Sequence, residues 1–267
     1  TGGEPFLRKD LMPFLWRVRA IPGIAAIHLT TNGVLTGNYL AELKEMGIAS
    51  VNLSLDTLDR ARFHQITRRD ELPKVMNCLY ALLEAGIPTK LNAVVMAGKK
   101  TPDLVPMGAF TQAHPVNVRF IEEMPFNGAG AQEAGAQALA WNHRRILDTI
   151  PAAYPELEKI PDGPHSTSAN YRVPGFAGSF GIIAAFSRTF CGTCNRIRLT
   201  ARGELKTCLY DHGVLDLKAL LRSGASDENL RQAFLAAFGK RAKDGFEAER
   251  RRGNDLPVTE SMSTIGG

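Results

Sequence analysis

Glu45-Met46-Gly47-Ile48 leads into Ser50-Val51-Asn52-Leu53-Ser54-Leu55-Asp56, and Glu84-Ala85-Gly86-Ile87 leads into Thr89-Lys90-Leu91-Asn92-Ala93-Val94-Val95-Met96. The same phrase is written twice: the end of an amphipathic helix, a glycine, an isoleucine, then a strand. Leu40, Leu43 and Met46 form the apolar face of the first helix, and Val75, Leu79, Leu82 and Leu83 that of the second. Each glycine stands where a left-handed cap ends a helix. Ser50 to Asp56 alternates with period two, the signature of a strand with two unlike faces.

The rhythm extends in both directions. Upstream, Leu11, Leu15 and Val18 recur at helical spacing until Pro22-Gly23, and the β-branched run Ile24 to Thr31 reads as a strand ending at Thr30-Thr31-Asn32-Gly33. Downstream, a helix is indicated from Asp103 to Ala113, and Val116 to Met124 forms a further strand ending Glu122-Glu123-Met124-Pro125. Alternation of this kind predicts an α/β fold with a parallel sheet, open or closed into a barrel, and ligands at the strand C-terminal ends.

The Gly/Ala/Gln-rich segment from Asn127 to Ala140 marks a boundary, giving units 1–126 and 127–267. The second unit reads as α+β. A helix is expected from Trp141 to Ile150, strands at Tyr171 to Val173 and Phe180 to Phe186, and a helix opened by Ser226 with Leu230, Phe234, Leu235 and Phe238 as its buried face. The polar tail from Pro257 ends in Gly266-Gly267.

At 267 residues, with 44% hydrophobic and 22% charged residues, the chain can build a large core without disulfides. No apolar run approaches the roughly 18 residues of a membrane span. The net charge of +5 is spread along the chain, aromatic residues are only 7%, and no RNA-binding signature appears, so neither membrane nor nucleic acid is an expected partner. Three of the four cysteines, Cys191, Cys194 and Cys208, form a C-x2-C-x13-C pattern suited to metal in a reducing, cytoplasmic setting. The spacing serves a zinc site completed by His212 and an iron-sulfur cluster equally well.

Lys90 and Arg119 lie in strands, where a long cation is costly to bury unless it is paired or meets an anion. Arg196 and Arg198 are two apart in a predicted strand and so face one side. Cys78, among apolar helical neighbours, reads as inert core, and His28 as a satisfied interior histidine. There is no nucleophile elbow, P-loop or HExxH motif.

Several phrases carry a family resemblance: Thr1-Gly2-Gly3-Glu4-Pro5, Leu29-Thr30-Thr31-Asn32-Gly33, Val51 to Asp56, Arg119-Phe120-Ile121-Glu122 with Met124, the C-x2-C-N-R-x-R-L-T hairpin, and the terminal Gly266-Gly267. The chain resembles radical S-adenosylmethionine enzymes, and among them the GTP 3′,8-cyclases of molybdenum cofactor biosynthesis. The resemblance implies a partial parallel (β/α)6 TIM-like barrel whose open side is closed by a C-terminal α+β domain. It implies a lyase whose 5′-deoxyadenosyl radical takes hydrogen from C3′ of GTP, after which the ribosyl radical attacks guanine C8. Gly3, Glu4, Ser54 and Met124 match S-adenosylmethionine positions. Thr30, Lys90, Arg119, Arg196, Ile197 and Arg198 match GTP positions, with Arg196, Arg198, Gly266 and Gly267 as catalytic. Cys191, Cys194 and Cys208 match the ligands of a [4Fe-4S] cluster with one iron open to the guanine.

The resemblance further implies an electron donor, a homodimer, and cyclic pyranopterin monophosphate synthase as the next enzyme. It also requires a second [4Fe-4S] cluster on C-x3-C-x2-C, a motif this sequence lacks, since only Cys78 lies outside the hairpin. The expectation is therefore a chain without the first strand and cluster segment, unable as it stands to cleave S-adenosylmethionine. Two alternatives remain: another radical enzyme with an auxiliary cluster, and a non-enzymatic Cys3His zinc domain.

Overall fold

A computed structural model describes residues 2–95, 103–124, 141–252 and 265. The first strands alternate with helices as the repeated phrase predicts. Helix α1 (Leu11–Arg19) precedes β1 (His28–Thr31), α2 (Leu40–Met46) precedes β2 (Ser50–Ser54), and α3 (Arg60–Thr67) and α4 (Leu72–Glu84) precede β3 (Thr89–Val95). Helix α5 (Leu104–Ala113) then leads to β4 (Asn117–Glu122). Gly47 caps α2 at φ 69°, its N–H returning to the Leu43 and Lys44 carbonyls, a conformation that costs glycine nothing.

After α6 (His143–Ala153) come β5 (Glu158–Lys159), β6 (Ala169–Arg172) and β7 (Ser179–Ile183). Among the described residues the main sheet runs β1-β2-β3-β4-β7-β6-β5. Strands β1 to β4 and β7 are parallel neighbours, whereas β5 and β6 run antiparallel at the far edge. The sheet thus continues across the compositional boundary, because β7 pairs directly with β4.

The two faces of this sheet differ sharply. Leu53, Leu91, Val118, Phe120, Phe180 and Ile182 point to one side and pack with Leu79, Met107, Ile146 and Ile150 from the helices. Leu29 and Val51 continue that layer against Leu43, Met46 and Leu15. The alternate positions carry Thr30, Asn52, Lys90, Asn92, Asn117 and Arg119, followed toward the strand ends by Val94, Ile121 and Ile183, none of them fully buried. Parallel strands sandwiched between helices are ordinarily apolar on both sides. A second face this rich in polar side chains is the exception.

A smaller antiparallel sheet follows, β8 (Arg198–Leu199), β9 (Glu204–Lys206) and β10 (Leu215–Asp216), in the order β10-β9-β8. It is flanked by α7 (Leu217–Arg222), α8 (Asp227–Gly239) and α9 (Gly245–Arg251). Ser226 and Asn229 form a reciprocal capping box at the start of α8.

Three sequence expectations are corrected. The run Ile24 to Ala26 is exposed and β1 begins only at His28, which is itself exposed and bonded to Ser50 Oγ at 2.7 Å. On α8, Leu235 and Phe238 are 51% and 40% exposed; the small sheet offers room only for Ala237, with Leu230 and Phe234 half-buried beside Leu205 and Leu217. Finally, Arg196 precedes β8, so it shares no strand face with Arg198.

Candidate active site

The polar sheet face gathers positive charge. In register, Asn52 lies beside Lys90 and Lys90 beside Asn117; one step on, Asn92 lies beside Arg119 and Arg119 beside Gly181. Arg119 reaches across β3 and donates from Nη2 to Asn52 Oδ1 at 2.6 Å. The Asn52 amide in turn donates to Thr30 Oγ1 at 3.2 Å. Arg119 Nε and Asn92 Oδ1 are buried without a hydrogen-bond partner among the described residues.

Burial, and then the nearby Arg196, pull the Arg119 guanidinium down to about 10. Lys90 is lowered by burial, then by Arg119 and Arg196. His28 is lowered by burial, then by Lys90 and Arg119. No carboxylate offsets these shifts. Among the described residues, Lys90, Arg119 and Arg196 form no ion pair with an acid. Like charges gathered in a partly desolvated cleft favour a polyanion as counter-charge.

Arg196 brings the cysteine segment to this face. Cys191 to Thr193 make one 3-10 turn, with the Cys194 N–H on the Cys191 carbonyl at 3.2 Å. The loop of Cys208 is organised by Asp211. Asp211 Oδ2 accepts from the Thr207 N–H at 2.9 Å, the Thr207 hydroxyl at 3.0 Å and the Cys208 N–H at 2.8 Å, while its Oδ1 accepts from the Gly213 N–H at 3.0 Å. The fully buried Lys206 holds the Asp211 carbonyl at 2.8 Å.

Burial pushes the Cys191 and Cys208 thiols up, with smaller contributions from Cys194 on the former and Cys191 on the latter. Arg198 is lowered by burial and by Arg196, against the opposing influence of Cys194 and Cys208. The three thiols and Arg198 are thus one electrostatic neighbourhood. All three are free thiols, though among the described residues no set of three potential ligands stands in metal-holding geometry. As a donor set, three half-buried thiols beside a guanidinium suit an iron-sulfur cluster. His212 is exposed.

Arg188 pins this corner. It is buried at φ 55°, lies over the Tyr210 ring at 3.7 Å and the Phe246 ring at 4.5 Å, and pairs with Glu249 at 2.7 Å. The Tyr210 hydroxyl donates to the Ala185 carbonyl at 2.8 Å and contacts Met124 Sδ at 3.7 Å. Ile265, 1% exposed, joins Tyr210 and Ala248 in a small core against which Met124 and Cys208 pack. Met124, Cys208 and the last described residue of the tail are therefore together. Thr1, Gly266 and Gly267 lie outside the described residues.

The remaining expected residues are more dispersed. Gly3 adopts φ 71° in open space. Glu4 is engaged by β1, with Oε1 on the Thr31 hydroxyl and Oε2 on the Asn32 N–H, both at 2.7 Å, so it holds the glycine loop against the strand end. Ser54 is exposed at the end of β2, and Ile197 is 47% exposed. Reasoning from sequence missed Asn52, Gly181, Glu122, Asp211 and Arg188. The polar alternation Asn52, Asn92, Asn117 within otherwise apolar strands was the available signal for the first.

This sheet, with its charged face and thiol-bearing neighbour, has a recognisable class. Residues 1–107 match the profile of the Radical SAM superfamily, and residues 116–246 that of Molybdenum Cofactor Synthesis C. Over the whole chain it is 40% identical to the GTP 3′,8-cyclase of Moorella thermoacetica, covering 80% of that protein, and 38% identical to that of Chlorobaculum tepidum, covering 78%. The chain belongs to the GTP 3′,8-cyclase family. It is also 39% identical over 250 residues to molybdenum cofactor biosynthesis protein 1 of Bos taurus, of whose length it spans 38%. Among the described residues no helix is long and apolar enough to cross a membrane.

Proposed function

We propose that this chain binds GTP and serves its radical conversion to (8S)-3′,8-cyclo-7,8-dihydroguanosine 5′-triphosphate in molybdenum cofactor biosynthesis. The single observation that carries this reading is the uncompensated charge of Lys90, Arg119 and Arg196, shared between the polar sheet face and the cysteine segment. A triphosphate supplies the missing counter-charge, with Thr30 beside it. Arg196 and Arg198 then hold the purine near the thiols. In this reading the parallel strands belong to a radical SAM (β/α)6 barrel, and the part of the unit from residue 127 that follows β7 closes over it.

Cys191, Cys194 and Cys208 would hold a [4Fe-4S] cluster, and Gly3, Ser54 and Met124 would line the S-adenosylmethionine site. When bound, these groups supply a Lewis-acidic iron for the guanine and, with the cluster that the absent C-x3-C-x2-C motif holds, the hydrogen-abstracting radical. The chain's own residues bind, orient and neutralise. Lys90 and Arg119 fix the polyphosphate, Arg198 the base, and the Arg188–Tyr210 pair keeps Met124 beside the Cys208 loop.

The test is anaerobic reconstitution of the chain with iron and sulfide, then metal analysis and calorimetric titration with GTP. About four irons per chain and no zinc are expected. Arg198→Ala should weaken GTP binding while the iron stays. A colourless zinc protein, or GTP affinity indifferent to both Lys90→Ala and Arg119→Ala, overturns the reading. Turnover is measured on the chain joined to a segment bearing the C-x3-C-x2-C motif, with an external one-electron donor.

A further inference from the structure

Arg119 is long and flexible, yet its guanidinium is held in one place. In front of it, Asn52 Oδ1 accepts from Nη2 at 2.6 Å while the other end of the same amide donates to Thr30 Oγ1. That pairing fixes the orientation of the amide and leaves the Thr30 hydroxyl proton free to be given elsewhere. Asn52 does this without charge. An aspartate there would hold the guanidinium equally well but cancel it.

Behind Arg119, Gly181 is its register partner on β7. A β-carbon on Gly181 would stand 2.9 Å from Arg119 Cγ, 3.2 Å from Asn170 Oδ1 and 3.3 Å from Asn117 Oδ1. Its φ is not in the left-handed region, so space alone calls for glycine here. Asn170 cannot easily give way. Its amide and its N–H are tied to Asp162 Oδ1 at 2.9 and 2.8 Å.

We propose that Asn52 and Gly181 are positioning residues that aim Arg119 at the phosphates: Asn52 by holding the guanidinium across β3, Gly181 by leaving the groove its stem occupies. This rests on reading the polar face as the nucleotide site. Arg119 keeps its charge, and its Nε is buried without a hydrogen-bond partner among the described residues.

The experiment is calorimetric titration of the reconstituted chain with inorganic tripolyphosphate, GTP and guanosine. The proteins compared are wild type, Asn52→Ala, Asn52→Asp, Gly181→Ala, Arg119→Ala and the double variant Asn52→Ala/Arg119→Ala, each checked for a folded melt. Asn52→Ala and Gly181→Ala should each weaken tripolyphosphate and GTP about tenfold, and leave guanosine unchanged. Asn52→Asp should weaken them more. Asn52→Ala should add nothing once Arg119 is alanine. Unchanged tripolyphosphate affinity in both single variants, or an equal loss in the Arg119→Ala background, overturns the inference and leaves the nucleotide reading standing. If wild type binds tripolyphosphate but not GTP and the cycle holds, the positioning role stands and the nucleotide reading falls. If it binds neither, both fall.

Discussion

Glu122 holds Ser187 with both carboxylate oxygens: Oε2 accepts the Ser187 N–H and Oε1 the Ser187 hydroxyl, each at 2.7 Å. The Phe186 N–H adds to Oε2 at 2.9 Å, and the His143 N–H to Oε1 at 2.5 Å. One carboxylate, 1% exposed, therefore joins the end of β4, the start of α6 and the entry to the cysteine segment.

Replacing it leaves buried donors facing an amide that can accept at only one atom. Glu122→Gln should lower the unfolding free energy by about 3 kcal/mol, the scale of one or two charge-assisted hydrogen bonds. Urea unfolding measures it, and iron uptake on reconstitution should fall in parallel. An unchanged midpoint would show that the carboxylate charge contributes nothing there.

Lys90 and Arg119 set up an opposition between binding and folding. A cation whose folded pKa lies below its unfolded value holds fewer protons when folded, so stability rises with pH through the alkaline range, from about 10 upward for Arg119. At neutral pH each charge is thus a standing cost to the fold. Lys90→Met should raise the melting temperature by a few degrees while abolishing tripolyphosphate binding. In wild type, binding should fade as pH climbs toward about 10, the lowered value of Arg119, sooner than ordinary arginine would allow. Scanning fluorimetry of Lys90→Met that shows a lower melting temperature counts against this account.

Cys78 is 4% exposed in α4, and burial pushes its thiol up to about 11. Its thiolate is scarce at neutral pH. In the metal-free folded chain, an aromatic disulfide reagent at pH 8 should label Cys191, Cys194 and Cys208 before Cys78. Cys78→Ala should leave the iron content unchanged, and loss of iron would mean that the core thiol serves the metal.

Ile265 anchors the tail against Tyr210 and Ala248. Ile265→Ala should cost about 2 to 4 kcal/mol, the range for truncating a fully buried aliphatic side chain. Deleting only Gly266 and Gly267 should leave the melt unchanged and abolish turnover in the chain joined to a segment bearing the C-x3-C-x2-C motif. Retained turnover would remove the glycines from the active site.

Much of the fold was legible because period-two and helical spacing are written strongly into residues 40 to 95, where each glycine cap came out as read. Helix α3 was not. Its sequence Arg60-Ala61-Arg62-Phe63-His64-Gln65-Ile66-Thr67 buries only Phe63, so it carries no apolar stripe, and Asp59 capping the Arg62 N–H at 2.7 Å is what starts it. The outward Leu235 and Phe238 failed for the opposite reason: a helix with more apolar residues than its neighbour can cover looks buried all along. At the site, the cations and thiols were visible as residue types out of place in their surroundings. Gly181 was not, since a glycine gains its meaning here only when β4–β7 register sets it beside Arg119, and Asn52 showed only as a polar break in an apolar strand, its tie to Arg119 being a diagonal side-chain bond across β3.

The charge gathered on the polar sheet face has a practical consequence at the bench. Mutual repulsion among Lys90, Arg119 and Arg196 is relieved by any multivalent anion, so the protein should leave a cell extract with one aboard. Freshly purified material should absorb at 260 nm in excess of its two tryptophans and five tyrosines. A high-salt wash should remove that absorbance and lower the melting temperature together, and inorganic tripolyphosphate should restore the second without the first.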